Sequence, residues 1–172
     1  YAYHITALTV LASIYAEIKE TGSVHSGASP FGGNYWNSIG QMKFNEEGDK
    51  LALVLYEKAV IEIFRFDKKT GRIYFITKLN QFHQYYPGVS LYGLEFSPNG
   101  KVLYASTGYT SPGQFSYVWS FDLSVLSPTT IWNNRREVAV EISAHENKYP
   151  YGALQMAPDK AIYVARNGEP YL

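Results

Sequence analysis

Alternating apolar and polar residues predict that this chain is built from short β-strands joined by tight turns. The clearest stretch is FSPNGKVLYAS, residues 96–106, where one strand ends, a turn follows and a second strand begins. Pro98 presets the first turn position, and Asn99 followed by Gly100 tolerates the positive φ that a tight hairpin needs. We therefore predict a β-hairpin here.

The same hairpin occurs three times. The copies read GQMKFNEEGDKLALVLY, YGLEFSPNGKVLYAST and GALQMAPDKAIYVAR, beginning at Gly40, Tyr92 and Gly152. In each copy two apolar residues share one side of a strand, and a polar residue separates them on the other side: Lys43, Glu95 and Gln155. A period of roughly 50 residues is typical of four-stranded propeller blades.

The third copy departs from the other two in its turn. Lys160 stands where the others have Gly48 and Gly100. A left-handed backbone at a lysine costs around 1 kcal/mol. We therefore expect this turn to have a different geometry.

Further strand-like runs follow each hairpin, so the sequence predicts an all-β fold, a β-propeller of four-stranded meander blades. We divide the chain into outer strands of a preceding blade (1–38), two blades (39–91 and 92–148) and the start of a further one (149–172). Propellers close with about four to eight blades, so we expect an incomplete piece of about three blades. The rest of the propeller, or another copy of the chain, would complete the ring. A β-sandwich with similar hairpins is the weaker alternative.

Composition narrows the classes of function. Lys plus Arg and Asp plus Glu number 15 each, so the formal net charge is zero and nucleic acid is not an expected partner. No apolar run reaches the roughly 20 residues of a spanning helix. Cysteine is absent, which removes thiol nucleophiles and Cys-ligated metal. Aromatic residues make up 16% of the chain, which favours β structure with exposed aromatic faces.

Motifs of catalysis and metal binding are missing from the sequence. The histidines do not share ligand spacing, and we interpret them as isolated: His4, His25, His83 and His145. EEGD, residues 46–49, concentrates carboxylates, but the repeat places it on a solvated hairpin turn rather than in a calcium loop. We predict no catalytic residues, no metal and no cofactor.

Aromatic and amide residues gather just before each inner strand, in GGNYWNS, FHQYYPGVSLY and HENKYPY. Such loops share one face of a propeller, around its channel, and flat rings beside amides and hydroxyls suit sugars or peptides. The alternative is that these rings pack blade against blade. The candidate ligand-binding residues are Tyr35, Trp36, Asn37, His83, Tyr85, Tyr86, Tyr92, Asn147, Tyr149 and Tyr151.

The order YGLEFSPNGKVLYAS, FSYVWSFDLS and YGALQMAPDKAIYVAR resembles the WD40-like propeller segments of large exported proteins of Bacteroidetes. The earlier SIGQMKFNEEGDKLALVLYEKAVIEIFRFDKKTGRI is similar to that family's preceding blade, so the resemblance covers roughly residue 3 to the end. It implies a secreted or cell-surface protein, often with adhesion-type modules and type IX secretion. It supplies no catalytic residue to transfer.

Three functions are compatible with these patterns. The leading one is a non-enzymatic, extracellular propeller module that binds a protein or glycan within a larger bacterial surface protein. The second is an enzyme of the propeller lactonase or lyase type, because His83 and His145 lie in equivalent loops. The third is a rigid spacer without a ligand.

Overall fold

The computed structural model describes residues 2–4, 17–19, 21–23, 36–109, 115–142 and 151–166. The first strands within these ranges are β1 (Ala2–His4), β2 (Glu17–Lys19), β3 (Met42–Phe44), β4 (Lys50–Leu55), β5 (Val60–Asp67) and β6 (Arg72–Leu79). They are followed by β7 (Val89–Phe96), β8 (Val102–Tyr109), β9 (Phe115–Asp122), β10 (Arg136–Ile142), β11 (Tyr151–Met156) and β12 (Ile162–Arg166). A 3-10 turn (Trp36–Ser38) and two short helices, α1 (Phe82–Tyr85) and α2 (Pro128–Asn133), interrupt the strands.

Two four-stranded antiparallel sheets dominate the described residues, each in meander order. Strands β3, β4, β5 and β6 form the first blade, and strands β7, β8, β9 and β10 form the second. Strands β11 and β12 pair as the start of a third blade, and β1 pairs with β2. The structure thus confirms the predicted all-β fold, an incomplete propeller of four-stranded meander blades.

The three hairpin turns share one geometry, which corrects the expectation for the third. Lys160 has φ +68°, beside +67° at Gly48 and +62° at Gly100. Its backbone N–H donates to the carbonyl of Ala157 over 2.9 Å, as that of Gly100 does to Ser97 over 2.8 Å. The lysine side chain also reaches the first blade, where its Nζ lies 2.6 Å from Oε1 of Glu46. The prediction of a different turn was wrong, because the lysine adopts the left-handed conformation directly.

The main core lies between the first and second blades. Apolar residues of β4 and β5 meet those of β7, β8 and β9, and α1 adds the fully buried Phe82. Leu94 and Phe96 of β7 enter this core, and Glu95 between them is buried on the other face of the strand. Neither blade buries its apolar face alone.

The second and third blades meet through small residues and buried hydroxyls. Ser106 Oγ accepts from the backbone N–H of Gly93 over 2.8 Å and donates to the carbonyl of Gly152 over 2.6 Å. A side chain at position 93 would collide with that carbonyl. Ser116 Oγ accepts from the backbone N–H of Tyr151 over 2.9 Å. This junction depends on hydrogen bonds that join backbone to side chain.

Polar side chains of the inner strands tie the blades together. Lys43 Nζ lies 3.3 Å from Oε2 of Glu95 and donates to Oε1 of Gln155 over 2.5 Å. Gln41 Oε1 accepts from the backbone N–H groups of both Leu94 and Leu154. The polar residues that interrupt the apolar pairs therefore link one blade to the next.

Helices contribute little to the part of the chain that the structure describes, and none there is long and apolar enough to cross a membrane.

Candidate functional site

The predicted loop residues separate into several environments. Tyr35, Asn147 and Tyr149 lie outside the described residues, as does His145, while Trp36 begins the 3-10 turn. The remaining six occupy a polar turn, an aromatic surface and two packed positions.

The turn at residues 56–59, between β4 and β5, brings two of them close together. The Oδ1 atom of the buried Asn37 accepts from the backbone N–H of Lys58 over 3.0 Å. The Nε2 atom of His83 lies 2.7 Å from the carbonyl oxygen of Glu57. Two separate loops therefore converge on one turn, and Ala59 holds φ +48° within it.

His83 contacts a backbone carbonyl rather than a carboxylate. Among the described residues, Oε2 of the buried Glu57 and Nδ2 of Asn37 have no hydrogen-bond partner. A histidine acts as a general base when a carboxylate orients its ring, and none of the described carboxylates hydrogen-bonds to His83. The imidazole of His83 is therefore tied to the backbone of this turn.

Tyr92 and Tyr151 are packed between elements. The ring of Tyr92 on β7 meets that of Tyr56 edge-on, with centroids 6.5 Å apart. Tyr151 is buried at the start of β11, between the second and third blades. These two positions match the packing alternative of the sequence analysis.

Tyr85 and Tyr86 belong to two neighbouring groups of rings, which together we call the aromatic array. Tyr86 packs on Tyr117 and Trp119, with centroids 5.5 Å away in both cases. Tyr117 lies 5.0 Å from Trp119 and 6.0 Å from Phe115. At the other end, Tyr85 lies 5.4 Å from Trp132 of α2. The array consists of Tyr85, Tyr86, Phe115, Tyr117, Trp119 and Trp132.

A cation joins the two halves of the aromatic array. The guanidinium carbon of Arg135 lies 4.2 Å from the ring centroid of Trp132, 5.4 Å from Trp119 and 5.7 Å from Tyr85. Its Nη1 donates to the carbonyl of Trp132 over 2.8 Å, which fixes the side chain. A guanidinium over aromatic faces is attracted by their quadrupoles. Arg135 thus positions Tyr85 and Trp132 relative to β9.

The array runs from the core to the surface. Trp119 and Trp132 are buried, whereas Tyr85 is 54% exposed and Phe115 is 43% exposed. Burial raises the pKa of the Tyr117 hydroxyl, and Tyr86 and Glu137 raise it further. Tyr117 therefore remains a neutral phenol at physiological pH, able to donate a hydrogen bond.

Sequence reasoning missed most of the array. Phe115, Tyr117 and Trp119 alternate along one strand, so the period of two in FSYVWSF signals one aromatic face. The helix carrying Trp132 was also detectable, because Ser127 caps it and Pro128 begins it. The position of Arg135 over three rings depends on tertiary packing and has no sequence signal.

Carboxylates of the described residues do not converge on a metal site, since no three His, Asp or Glu side chains there are grouped to hold an ion. In EEGD, Glu46 pairs with Lys160, and Asp49 Oδ1 accepts from Nδ2 of Asn45 over 2.7 Å. Two of these carboxylates are thus engaged with neighbouring side chains.

Comparison with known proteins shows a likeness of fold. No protein-family model matches the chain, and no curated protein matches it. A solved structure of a protein from Lactobacillus plantarum is similar at 15% identity with a TM-score of 0.52, over 74% of this chain and 34% of that one. At this identity the likeness concerns the fold alone.

Two further solved structures give lower TM-scores. The β-propeller domain of Myceliophteria thermophila Cps50 (Swd1) matches at 13% identity and 0.42, over 66% of this chain and 30% of that one. The Pseudomonas aeruginosa periplasmic gluconolactonase PpgL matches at 15% and 0.45, over 73% and 31%. This chain spans about a third of the length of each of the three structures.

Proposed function

We propose that this chain is part of an exported bacterial surface protein and that its propeller is a non-enzymatic module for binding a protein or glycan. The observation that carries the proposal is the aromatic array, which extends from the core between two blades to the exposed ring of Tyr85. The extracellular location rests on the resemblance described from the sequence.

The array has the properties of a binding surface rather than of a core alone. Tyr, Trp and Arg are the residues in which binding energy concentrates at interfaces. Tyr85 remains exposed although Trp132 and Arg135 contact one side of it. A ring held in this way loses little conformational freedom when a ligand packs on it, which favours affinity. Sugar rings and aromatic or proline side chains suit such a surface.

The test substitutes the exposed ring and measures binding. We expect Tyr85→Ala to weaken signals on a glycan array and on a panel of purified extracellular proteins by about ten-fold or more. Tyr74→Ala is the matched control, because Tyr74 is also exposed and lies under a guanidinium, that of Arg65 at 4.6 Å, but away from the array. Equal effects of the two substitutions, or no binding by the unsubstituted chain, would overturn the proposal.

The enzymatic alternative remains a prediction from the equivalent loops of His83 and His145. A lactonase or lyase would show turnover of a lactone or uronate polymer that His83→Ala abolishes. We expect no turnover above the uncatalysed rate. Turnover that depends on His83 would replace a binding role with a catalytic one.

A partly exposed apolar face of the first blade supports the proposal that a further blade packs there. Met42 and Phe44 of β3 and Phe75 of β6 are exposed on the first blade. We propose that another blade covers this face, supplied by the rest of the propeller or by another copy of the chain. Sedimentation that shows only monomers of this chain, at all concentrations, would leave the rest of the propeller as the partner.

A further inference from the structure

An exposed apolar strip on β9 and β10 continues the aromatic array outward. Val140 of β10 lies opposite Tyr117 of β9 in the antiparallel ladder, and residues that lie opposite each other share one face of a sheet. Phe115, two positions from Tyr117, shares that face as well. Val140 and Phe115 are both exposed. The face of the second blade that packs on Tyr86 is therefore apolar beyond that contact.

The apolar strip suits a protein better than a sugar. Valine and phenylalanine side chains have no hydrogen-bonding groups, whereas a saccharide site needs polar groups that hold the hydroxyls. Glu137 lies on this face, opposite Trp119, but the bulged residue beside it, Val138, is again apolar and exposed. Exposed apolar surface of this kind marks sites of protein interaction.

The backbone of β10 offers a second means of binding, because β10 is an edge strand. The strands of its sheet lie in the order β10, β9, β8, β7, so β9 occupies one side of β10. Among the described residues, no strand pairs with the other side. The register with β9 is regular along residues 139–142, beyond the bulge between Glu137 and Ala139. Outward-facing N–H and C=O groups of such a stretch are a template for a further strand.

The strip and the free edge adjoin a contact that the chain already makes. Tyr86, which follows α1, packs on Tyr117 and Trp119 with centroids 5.5 Å away in both cases. The first blade thus covers the inner part of this face and leaves Phe115 and Val140 exposed. A strand added to β10 would place every second side chain on the same face and extend this contact.

We propose that β10 and the apolar strip bind an extended segment of a partner protein, which adds to the second blade as a fifth strand. The backbone of the segment pairs with residues 139–142, and aliphatic side chains at its alternate positions lie beside Val140 and Phe115. This inference rests on the proposed function, because it names a protein rather than a glycan as the ligand that the aromatic array binds.

The experiment is isothermal titration calorimetry of this chain with the synthetic peptide acetyl-KTVTVTVK-amide, which has valine at alternate positions. We expect the peptide to bind, and the uncharged saccharide cellohexaose to bind at least about ten-fold more weakly. Val140→Lys should weaken peptide binding by about ten-fold or more, because it places a charge among apolar side chains. Phe115→Ala should also weaken it. Both residues are exposed, so these substitutions leave the fold intact.

The matched control is Val125→Lys. Val125 is an exposed valine in the segment between β9 and α2, away from the ladder of β9 and β10. This variant should bind the peptide as the unsubstituted chain does.

Two modified peptides test whether the backbone of the ligand pairs with β10. One carries N-methyl groups on its three valines and the other on its three threonines, so each loses the N–H groups along one edge of the strand. A strand that pairs through one edge tolerates methyl groups on the other. We therefore expect one modified peptide to bind as the parent does and the other to bind at least about ten-fold more weakly.

Four results would overturn the proposal: no heat of binding at millimolar peptide, equal binding of cellohexaose, equal losses in Val140→Lys and Val125→Lys, and equal binding of the two N-methylated peptides. If the peptide does not bind but Tyr85→Ala weakens signals on the glycan array, this inference is wrong and the proposed function stands. If the unsubstituted chain binds no peptide, protein or glycan, both are wrong.

Discussion

The inner strands of the first and second blades carry one pattern in two different surroundings. Leu94 and Phe96 of the second blade are 0% and 1% exposed, whereas Met42 and Phe44, at the same places of the first, are 61% and 47% exposed. Both pairs flank a polar residue and precede the same turn. The repeated hairpin therefore sets which apolar side chains share one face of the strand. Whether those side chains are buried depends on a neighbouring blade that packs on that face.

The largest expected effect comes from replacing the equivalent residues Leu94 and Met42 with alanine. Leu94→Ala should lower the free energy of unfolding by about 2–5 kcal/mol, because it opens a cavity in the core between two blades. Met42→Ala should lower it by no more than about 0.5 kcal/mol, since the side chain is mostly in water. Urea unfolding followed by tryptophan fluorescence measures both.

A volume-conserving change serves as the control. Leu94→Met should cost less than about 1.5 kcal/mol, because the core keeps its volume. Similar losses for Leu94→Ala and Met42→Ala would contradict the comparison. In that case the face around Met42 would be covered in solution, and sedimentation of both variants would show whether a second copy covers it.

Much of the fold was predictable because its determinants are local. The turn residues Asn99 and Gly100 and the apolar pair Leu94 and Phe96 specify a hairpin within one short stretch, and the period follows from repetition. Lys160 shows the limit of this reasoning. Lys160 adopts an unfavourable left-handed backbone because the paired strands on either side fix the geometry of the turn. The Nζ atom of its side chain lies 2.6 Å from Oε1 of Glu46.

The next test compares the turn glycines of the two blades. Gly48→Lys should cost about 1 kcal/mol, because a lysine is unfavourable in a left-handed conformation; a Cβ there meets nothing closer than the Lys68 side chain at 3.6 Å. Gly100→Lys should cost more, since its Cβ would lie 2.9 Å from Nδ2 of Asn45. Thermal unfolding of both variants provides the measurement.

Lys160→Gly is the reverse substitution, and it measures how much the left-handed backbone of a lysine changes the stability of the third hairpin turn. It should change the stability by about 1 kcal/mol or less, because relief of the strained φ is offset by the lost exposed pair with Glu46. A cost for Gly48→Lys that equals or exceeds that for Gly100→Lys would show that the contact with Asn45 does not distinguish the blades.

The candidate site was less predictable than the fold. Tyr85 was named from its loop, but its partners Trp132 and Arg135 lie on a segment that the strand pattern left unassigned. Tyr151, in an equivalent loop, is buried beside Ser116 instead. Sequence position sets which residues share an end of the strands. Side-chain packing, which sequence alone does not give, decides which of them reach the surface.

The smallest expected effect concerns how the hairpin turns of the two blades change the free energy of unfolding as the pH falls. The first carries Asp49, whereas the second closes through Ser97 and Asn99 without a carboxylate. The hydrogen bond from Asn45 holds the pKa of Asp49 below its ordinary value of 3.8. Its stabilising contribution is therefore complete above the unfolded-state pKa and is lost as the pH falls through the lower folded-state pKa.

Asp49→Asn should accordingly flatten the decline of the unfolding free energy between about pH 5 and pH 2 relative to the unsubstituted chain. The difference in slope between Asp49→Asn and the unsubstituted chain reports Asp49 alone. Asp67 and Asp122, whose pKa values are also lowered, titrate in both proteins. Ser97→Ala, at the place that Asn45 holds in the first turn, should leave the slope unchanged. Urea unfolding at several pH values measures the slopes. Identical slopes for Asp49→Asn and the unsubstituted chain would show that both turns respond to acid alike, because the hydrogen bond between Asn45 and Asp49 would then contribute equally at every pH.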